Sequence, residues 1–310
     1  MSTGPAPGGG VAAEPIVDAH HHIWRLDDLD WLKGPPVPRI FGEYGAIRRD
    51  YPIDEYLDDV AGTGVVRSVY VQTNWPAGRA LDEVAWVDEV HAQSGWPHAI
   101  VGYADFLDDG VGALLKAQAG CPLVRGIRQQ IHWHRNGQYR FAERPDLADD
   151  PRWRRNLALL ADRGLLFELQ VFESQMAGAA RLARDLPEVV FVLEHAGMLE
   201  DLSERGWANW RDGMRRLADA PNVSTKLSGL GTFVRRNDPD LIARIVEETV
   251  AIFGAQRCVW GSNFPVEKLW TDYASLVGAA RAALAHLSED ERRGVLADNA
   301  IRLYRLDPIA

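Results

Sequence analysis

The sequence predicts a single α/β domain, a (β/α)₈ TIM barrel with a closing C-terminal helix. From residue 16 onward, short apolar runs rich in β-branched residues alternate with longer amphipathic stretches, and both kinds of segment number eight. This alternation is typical of parallel strands joined by crossover helices. The predicted strands are 16–20, 67–73, 99–105, 123–129, 165–171, 189–195, 223–228 and 258–262.

The segments between these strands have the apolar spacing of amphipathic helices. They are 54–61, 81–92, 111–117, 150–163, 174–185, 207–218, 239–253 and 273–285. A closing helix over 288–304 begins with Ser288 and has Glu291 three residues later, the pattern of a capping box. We expect residues 15–310 to form one domain, preceded by a disordered tail over 1–14 that is rich in Gly, Pro and Ala.

Composition excludes several classes of partner. The 310 residues carry a net charge of -10, which repels nucleic acid and anionic membrane surfaces alike. Only Cys121 and Cys258 are present, each in an apolar stretch, so no disulfide is expected. No signal peptide or run of 18 apolar residues occurs, and we expect a cytoplasmic protein that binds a small molecule and is free to form a homo-oligomer.

The longest connection between predicted elements is 24–52, directly after the first strand. It contains several aromatic residues and the Gly34-Pro35-Pro36 turn. Because such a length is unusual for an idle loop in a compact barrel, we expect this segment to fold across the barrel mouth.

A His-x-His pair follows the first strand. Alternation along an extended chain points His20 and His22 to the same side and His21 to the other. Two imidazoles on one side are able to share a cation or a substrate oxygen. The alternative is that they cap the strand through ordinary hydrogen bonds.

A third histidine, His195, ends the sixth predicted strand and is followed at once by Ala-Gly. In a barrel all strand ends converge on one face, and catalytic residues concentrate there. We therefore expect His195 to join His20 and His22, unless it is a hydrogen-bonded core histidine.

The sequence resembles the amidohydrolase-related TIM-barrel hydrolases, which include sugar lactonases such as L-fuconolactonase and the 2-pyrone-4,6-dicarboxylate lactonases. The segments that carry the resemblance span nearly the whole chain after residue 15. They are VDAHHHIW, VGYADFLDD, VRGIRQQ, FELQVF, FVLEHAG, NVSTKLSGL, VWGSNFPVE and DNAIRLYRL, in that order. Together they are specific for the family, though not for a substrate.

The resemblance implies that His20, His22 and His195 bind a metal or the scissile carbonyl. It also implies that Asn263 stands where the family has a strand-eight aspartate that binds metal and acts as general base. An amide is neither a base nor a charged ligand. Strand four also lacks a lysine and strand five has Gln170 without a histidine, so we expect one divalent metal, with Zn²⁺ the suitable ion, or a metal-free site.

If Asn263 is no base, another group must manage the proton. Glu267 is the carboxylate nearest to it in sequence and is a catalytic candidate, with a solvated or ion-paired loop acid as the alternative. Asp18 is a candidate for orienting a histidine from behind.

Cationic side chains at strand ends are suited to bind an anionic ligand. Arg125, Arg128 and Lys226 are the candidates, and we favour Arg128, which matches the arginine of the family's GIR segment; structural salt bridging is the alternative. Gln72 and Gln170 are further substrate-binding candidates. Trp24, Trp75, Trp133 and Trp270 each follow a predicted strand, which predicts aromatic walls or, alternatively, plain loop anchors.

These features predict a hydrolase of the amidohydrolase superfamily that opens a small anionic cyclic ester. Two alternatives stay open: a metal-dependent decarboxylase of a cyclic acid, because such enzymes share the barrel and its histidines, and a metal-free barrel with altered or lost catalysis. Asn263 keeps the last alternative open.

Overall fold

The computed structural model describes residues 14–76 and 78–309. The predicted tail lies outside the described residues except for Glu14. The carboxylate of Glu14 pairs with Arg292 at 2.8 Å, and its carbonyl accepts from Arg281. The chain is therefore tied to the C-terminal helices at its first described residue.

Eight parallel strands follow one another in the order β1 to β8 and form a nearly closed barrel. All eight predicted strands are present, although most are shorter than predicted. The strands are β1 (Ile16–His21), β2 (Val65–Val71), β3 (Ala99–Tyr103), β4 (Val124–Arg128), β5 (Leu166–Leu169), β6 (Phe191–Leu193), β7 (Val223–Leu227) and β8 (Cys258–Trp260).

Helices connect the strands and surround the barrel, which confirms the (β/α)₈ prediction. Two predicted helices differ in form: the one over 150–163 is α-helical only in its first half, and the closing helix contains a π-helical turn, Gly294–Asp298. The helices are α1 (Asp30–Lys33), α2 (Ile53–Val60), α3 (Ala80–Ser94), α4 (Val111–Ala119), α5 (Pro151–Leu157), α6 (Glu173–Asp185), α7 (Glu204–Ala218), α8 (Pro239–Phe253), α9 (Tyr273–Ala283), α10 (Glu289–Arg293) and α11 (Asn299–Tyr304).

The core has two parts, as expected for strands with one face inward and one toward the helices. A smaller cluster joins strand residues such as Val69, Val101 and Val192 to Tyr304 and Leu306 of the C-terminal segment. A larger cluster packs the other strand faces against the surrounding helices. The barrel is therefore a filled core, so a ligand pocket is expected at its mouth.

Asp18 joins the first strand to the end of the last one. Its carboxylate accepts hydrogen bonds from Ser262 N at 2.8 Å, Ser262 Oγ at 2.6 Å, Tyr273 Oη at 2.8 Å and Tyr56 Oη at 3.0 Å. The backbone N–H of Asn263 donates to the His20 carbonyl at 2.7 Å across the same seam. This contact set brings β1 and the segment after β8 together.

The loop 24–52 covers the barrel mouth, as predicted. Its ends are paired, because Trp24 and Tyr51 exchange two backbone hydrogen bonds of 2.9 Å. The Trp31 indole N–H donates to the Thr73 carbonyl at 2.9 Å and fastens the loop to the segment after β2.

Cys121 and Cys258 are both free thiols, as expected. Within the described part of the chain, no helix has the length and apolarity needed to cross a membrane.

Candidate active site

The three histidines that the sequence singled out lie together at the barrel mouth. The ring centroid of His20 is 5.1 Å from that of His22 and 4.8 Å from that of His195. His21 faces away and stacks on Tyr56 with ring centroids 4.0 Å apart. Barrel closure thus unites two sites that are 173 residues apart in sequence, the difference between positions 195 and 22.

A β-bulge explains why His20 faces the barrel interior although Asp18 does not. The pairing of β1 with β2 shifts register between Asp18 and His21. An extra residue in one strand inverts the alternation of side chains beyond it. Asp18 consequently contacts the helix layer and the His20 backbone, with its oxygen 3.1 Å from His20 N, rather than an imidazole ring. The expectation that Asp18 orients a histidine ring is therefore wrong.

Each of these imidazoles is held at Nδ1. His22 Nδ1 donates to the Val71 carbonyl at 2.7 Å, and His195 Nδ1 is 2.9 Å from Ser228 Oγ. His20 Nδ1 lies 3.3 Å from Lys226 Nζ, and its buried Nε2 has no hydrogen-bond partner. The nitrogen opposite is left for a ligand where Nδ1 carries the proton. His22 donates that proton to the Val71 carbonyl, and Glu194 Oε1, 3.5 Å from His20 Nδ1, is the acceptor available to His20.

Burial keeps these rings neutral at physiological pH. It lowers the pKa of His22 to about 3 and that of His195 to about 4, while the neighbouring Glu194 partly opposes both shifts. The pKa of His20 is also well below its usual value because of burial and the nearby Lys226. A neutral imidazole offers one donor and one acceptor nitrogen.

The turn after β6 gives His195 its position. His195 and Ala196 have φ of +56° and +47°, a left-handed conformation that is strained for non-glycine residues. Gly229 packs against the ring, and a Cβ atom there would lie 2.7 Å from His195 Nδ1. Only glycine fits this place, where φ is also +61°.

A layer of four buried charges lies next to the histidines. Arg128 Nη1 is 3.2 Å from Glu194 Oε1, and Lys226 Nζ is 2.7 Å from Glu168 Oε2. Burial opposes ionisation of Glu194, but Arg128, His195 and Lys226 together outweigh burial and lower the pKa of that carboxyl. Each cation is paired with a carboxylate, so this layer is neutral as a whole.

Asn263 and Glu267 form a pair at the other side of the site. Asn263 has a φ of +59°, which asparagine tolerates better than most residues. Glu267 contacts the Asn263 side chain, accepts from Trp270 Nε1 at 2.8 Å and is completely buried. Burial raises its pKa to about 8, and a carboxyl protonated at neutral pH is no base there. We interpret Glu267 as a residue that positions Asn263.

One pocket of about 130 Å³ opens above this cluster. Of the predicted site residues, His22, His195, Asn263, Arg128, Gln170 and Trp24 line it. The remaining ones, His20, Gln72, Lys226 and Glu267, are buried behind its wall.

Two expectations about the pocket need correction. Trp75, Trp133 and Trp270 do not contribute to its lining, because they pack against Arg79, Arg140 and Glu267 respectively. Arg125 faces the opposite end of the barrel, where its Nε donates to the Tyr304 carbonyl. Of the two arginines on β4, only Arg128 faces the pocket.

Several pocket residues were not identified from the sequence. His132 lines the pocket, is buried, and has a pKa lowered by burial to about 3. The sequence did hold a signal for it, since IHWH is a second His-x-His that comes shortly after β4. Trp31, Arg39 and Arg140 come from two long loops and gave no comparable signal.

One buried set of donor atoms in the described part of the chain is compact enough to hold a divalent cation. Ligand-type atoms of His20, Glu168 and Glu194 lie within 4.8 Å of one another, and His20 Nε2 is buried without a partner. Lys226 and Arg128 already neutralise the two carboxylates, which leaves imidazole nitrogens as the available donors. Imidazole is a preferred ligand of Zn²⁺. Ligation by His20, His22 and His195 together stays a prediction.

The model of one protein family, described as amidohydrolase, matches residues 17–306. The chain belongs to the amidohydrolase family. The match covers all eight strands of the barrel except Ile16, and all of the predicted site residues. Family membership makes this protein an enzyme of the hydrolase type, in agreement with the expectation from its sequence.

Relatives of this amidohydrolase include one without a known function. An uncharacterised protein of Sinorhizobium fredii, y4mH, is 36% identical over 94% of this chain and 98% of its own length. An L-fucono-1,5-lactonase of Burkholderia multivorans is 30% identical over 94% of this chain and 96% of its own length.

A crystal structure of an amidohydrolase from Burkholderia multivorans with bound zinc has a TM-score of 0.80 to this amidohydrolase at 27% identity. The match covers 94% of this chain and all of the other. A 5-carboxyvanillate decarboxylase of Sphingomonas paucimobilis shares the fold at a TM-score of 0.65, but at 14% identity the likeness extends to the fold alone.

Proposed function

We propose that this amidohydrolase opens a small lactone by hydrolysis of its ring ester. The observation that carries the proposal is the convergence of His20, His22 and His195 at a pocket, each ring held at Nδ1. The similarity to L-fucono-1,5-lactonases supports the choice of a lactone over other esters.

We assign the metal site to His20, His22 and His195. A divalent cation such as Zn²⁺, when bound, would polarise the ester carbonyl and lower the pKa of a water molecule. Glu194 and Lys226 contact His20 within 3.5 Å and hold its ring in place.

Other residues of the pocket bind the ester, transfer the proton and pack against the ring. Asn263 lines the pocket beside His22 and is able to donate its amide N–H to the ester oxygen. We assign proton transfer to the neutral imidazole of His132, whose Nδ1 is buried and without a hydrogen-bond partner. Trp24 and Trp31 give the pocket flat walls that suit a ring and exclude water around it.

The proposal is tested by metal analysis together with lactone hydrolysis. We expect about one divalent metal per purified chain and proton release from 1,4- and 1,5-lactones of sugar acids. Replacing both His20 and His22 by alanine should remove the metal and the activity. The His132→Asn variant should keep its metal and lose about 100-fold in kcat, because general acid–base catalysis contributes on that order.

The exposed His286 provides a matched control, and the His286→Ala variant should keep full metal content and activity. Circular dichroism would verify that each variant is folded. Equal metal content in wild type and the His20→Ala/His22→Ala variant would contradict the assigned ligands. Release of carbon dioxide from aromatic acids without any lactone hydrolysis would contradict the proposed reaction and favour a decarboxylase.

A further inference from the structure

The charge of the pocket is opposite to that of the whole protein. The chain carries a net charge of -10, yet none of the described residues that line the pocket is an aspartate or glutamate. The lining includes three arginines, Arg39, Arg128 and Arg140. A pocket without carboxylates in an acidic protein concentrates positive potential where a ligand binds.

The three arginines differ in how their charge is balanced. Arg128 is paired with Glu194 at 3.2 Å. Arg39 and Arg140 have no carboxylate within 4.0 Å among residues 14–76 and 78–309. Two full positive charges are therefore left for a ligand, and neither is the arginine that the sequence favoured.

Aromatic stacking holds both guanidinium groups without neutralising them. The Arg39 guanidinium lies 5.3 Å from the Trp31 ring centroid, and that of Arg140 lies 5.0 Å from the Trp133 ring centroid. Arg39 Nε is buried and has no hydrogen-bond partner. Arg140 Nε and Nη2 also donate to the His134 and Arg135 carbonyls at 3.0 and 3.3 Å. Stacking orients each planar guanidinium, and the N–H groups that have no partner stay available to an anion.

The two arginines belong to loops that are joined across the mouth. Arg39 is in the loop 24–52 and Arg140 follows β4, and the Gln138 side chain donates to the Arg39 carbonyl at 2.9 Å. Phe41 and Phe141 line the same pocket. An anion bound here would lie at the outer end of the pocket, with the ring it belongs to between aromatic side chains.

We infer that Arg39 and Arg140 form a subsite for a carboxylate of the substrate, separate from its ester. The inference rests on the proposed function and narrows it: the preferred substrate is a lactone that carries a second, free carboxylate. Guanidinium groups match the planar carboxylate with paired hydrogen bonds, which sets the orientation of the ring above the histidines. The buried Arg128 then has a structural role, because its charge is paired with Glu194.

Two lactones with the same ring test the inference. D-Glucaro-1,4-lactone carries a terminal carboxylate where D-glucono-1,4-lactone carries a hydroxymethyl group. Wild type should have a kcat/KM at least about tenfold higher for the first, because a hydrogen bond to a charged group has about that effect. Arg39→Gln and Arg140→Gln should remove the preference through KM, because they lower kcat/KM for D-glucaro-1,4-lactone much more than for D-glucono-1,4-lactone, and lysine at either position should restore it in part.

Arg135 is the matched control, because it is exposed, lies in the same loop as Arg140 and does not line the pocket. Arg135→Gln makes the same change in charge and should keep the preference. Equal kcat/KM of wild type for the two lactones would overturn the inference. An equal loss on both lactones in the Arg39 and Arg140 variants would also overturn it.

Binding measurements separate this inference from the proposed function. If neither lactone is hydrolysed, isothermal titration with D-glucarate and D-gluconate still compares ligands that differ in one carboxylate. Tighter binding of D-glucarate to wild type, lost in the Arg39→Gln/Arg140→Gln variant, would support the subsite while the lactonase proposal fails. Equal binding of both ligands would overturn the subsite.

Discussion

Burial, more than residue type, sets the protonation state of the groups around the pocket. The imidazoles of His22, His132 and His195 have pKa values lowered to between about 3 and about 4, so they are neutral near pH 7. The same cause acts in the opposite direction on the Glu267 carboxyl, whose pKa rises to about 8. In both cases the low dielectric of the interior disfavours the charged form.

Replacing Glu267 by glutamine should change how stability depends on pH. Between pH 5 and 8 the unfolded chain releases the Glu267 proton while the folded protein retains it, so the free energy of unfolding falls as pH rises. Glutamine has no such proton. Relative to wild type, Glu267→Gln should therefore gain about 3 kcal/mol between pH 5.5 and pH 7.5, at about 1.4 kcal/mol per unit.

Urea unfolding at the two pH values measures this difference. Glu143→Gln provides the control for exchanging a carboxyl for an amide, because Glu143 is exposed and has no ion pair among the residues described. A constant offset between Glu267→Gln and wild type at both pH values would show that the carboxyl is already ionised.

Strand ends and loops position the side chains that the strands alone do not. The bulge in β1 directs His20 inward, and the left-handed turn after β6 directs His195 toward it. The loop 24–52 and the segment after β4 supply Trp31, Arg39, His132 and Arg140. The barrel gives a rigid base, and the connections determine which ligand fits.

The closing helices begin with the capping box that the sequence predicted. Ser288 Oγ accepts from Glu291 N at 3.4 Å, and Glu291 Oε2 accepts from Ser288 N at 3.1 Å. Ser288→Ala removes the first of these contacts and should lower the free energy of unfolding by about 1 kcal/mol. Ser288→Asp, which keeps a capping oxygen, should restore it in chemical denaturation. Equal stability of all three proteins would mean that the cap contributes nothing.

The molecule as a whole depends on the seam where the last strand meets the first. Gly261 allows this approach, because a Cβ atom there would lie 2.7 Å from His20 Cβ. The Asp18 carboxylate accepts hydrogen bonds from the hydroxyl groups of Tyr56 in α2, Tyr273 in α9 and Ser262 after β8. His20 lies at the same seam. The contacts that close the barrel therefore also position a residue of the candidate active site.

Asp18→Asn should therefore be among the more destabilising conservative substitutions. The amide keeps one acceptor oxygen and leaves buried hydroxyl and N–H donors unpaired, which should reduce the free energy of unfolding by on the order of 3 kcal/mol. Tyr273→Phe removes a single donor from the same carboxylate and should cost about 1 kcal/mol. Thermal and urea unfolding measure both. A loss for Asp18→Asn no greater than that for Tyr273→Phe would contradict a role of Asp18 in closure.

The sequence by itself determined the number and order of the strands and the main helices between them, because hydrophobic periodicity and turn residues act locally. It also identified His20, His22 and His195, since strand-end histidines in a barrel have one place to converge. The sequence could not predict that Asp18 and His20 face opposite sides of β1. A one-residue bulge after Asp18 inverts the direction of every side chain that follows.

Only the tertiary structure decided which arginines of the pocket are paired with a carboxylate and which are not. Arg128, Arg39 and Arg140 look alike in sequence, but only Arg128 meets a carboxylate, that of the distant Glu194. The other two stack on tryptophan rings, and Arg140 also donates to backbone carbonyls, so neither has its charge neutralised. Likewise, Glu267 is buried behind Asn263 among Thr232 and Trp270, which both donate to its carboxyl. Charge pairing and desolvation depend on distances in space, and no local pattern of residues encodes them.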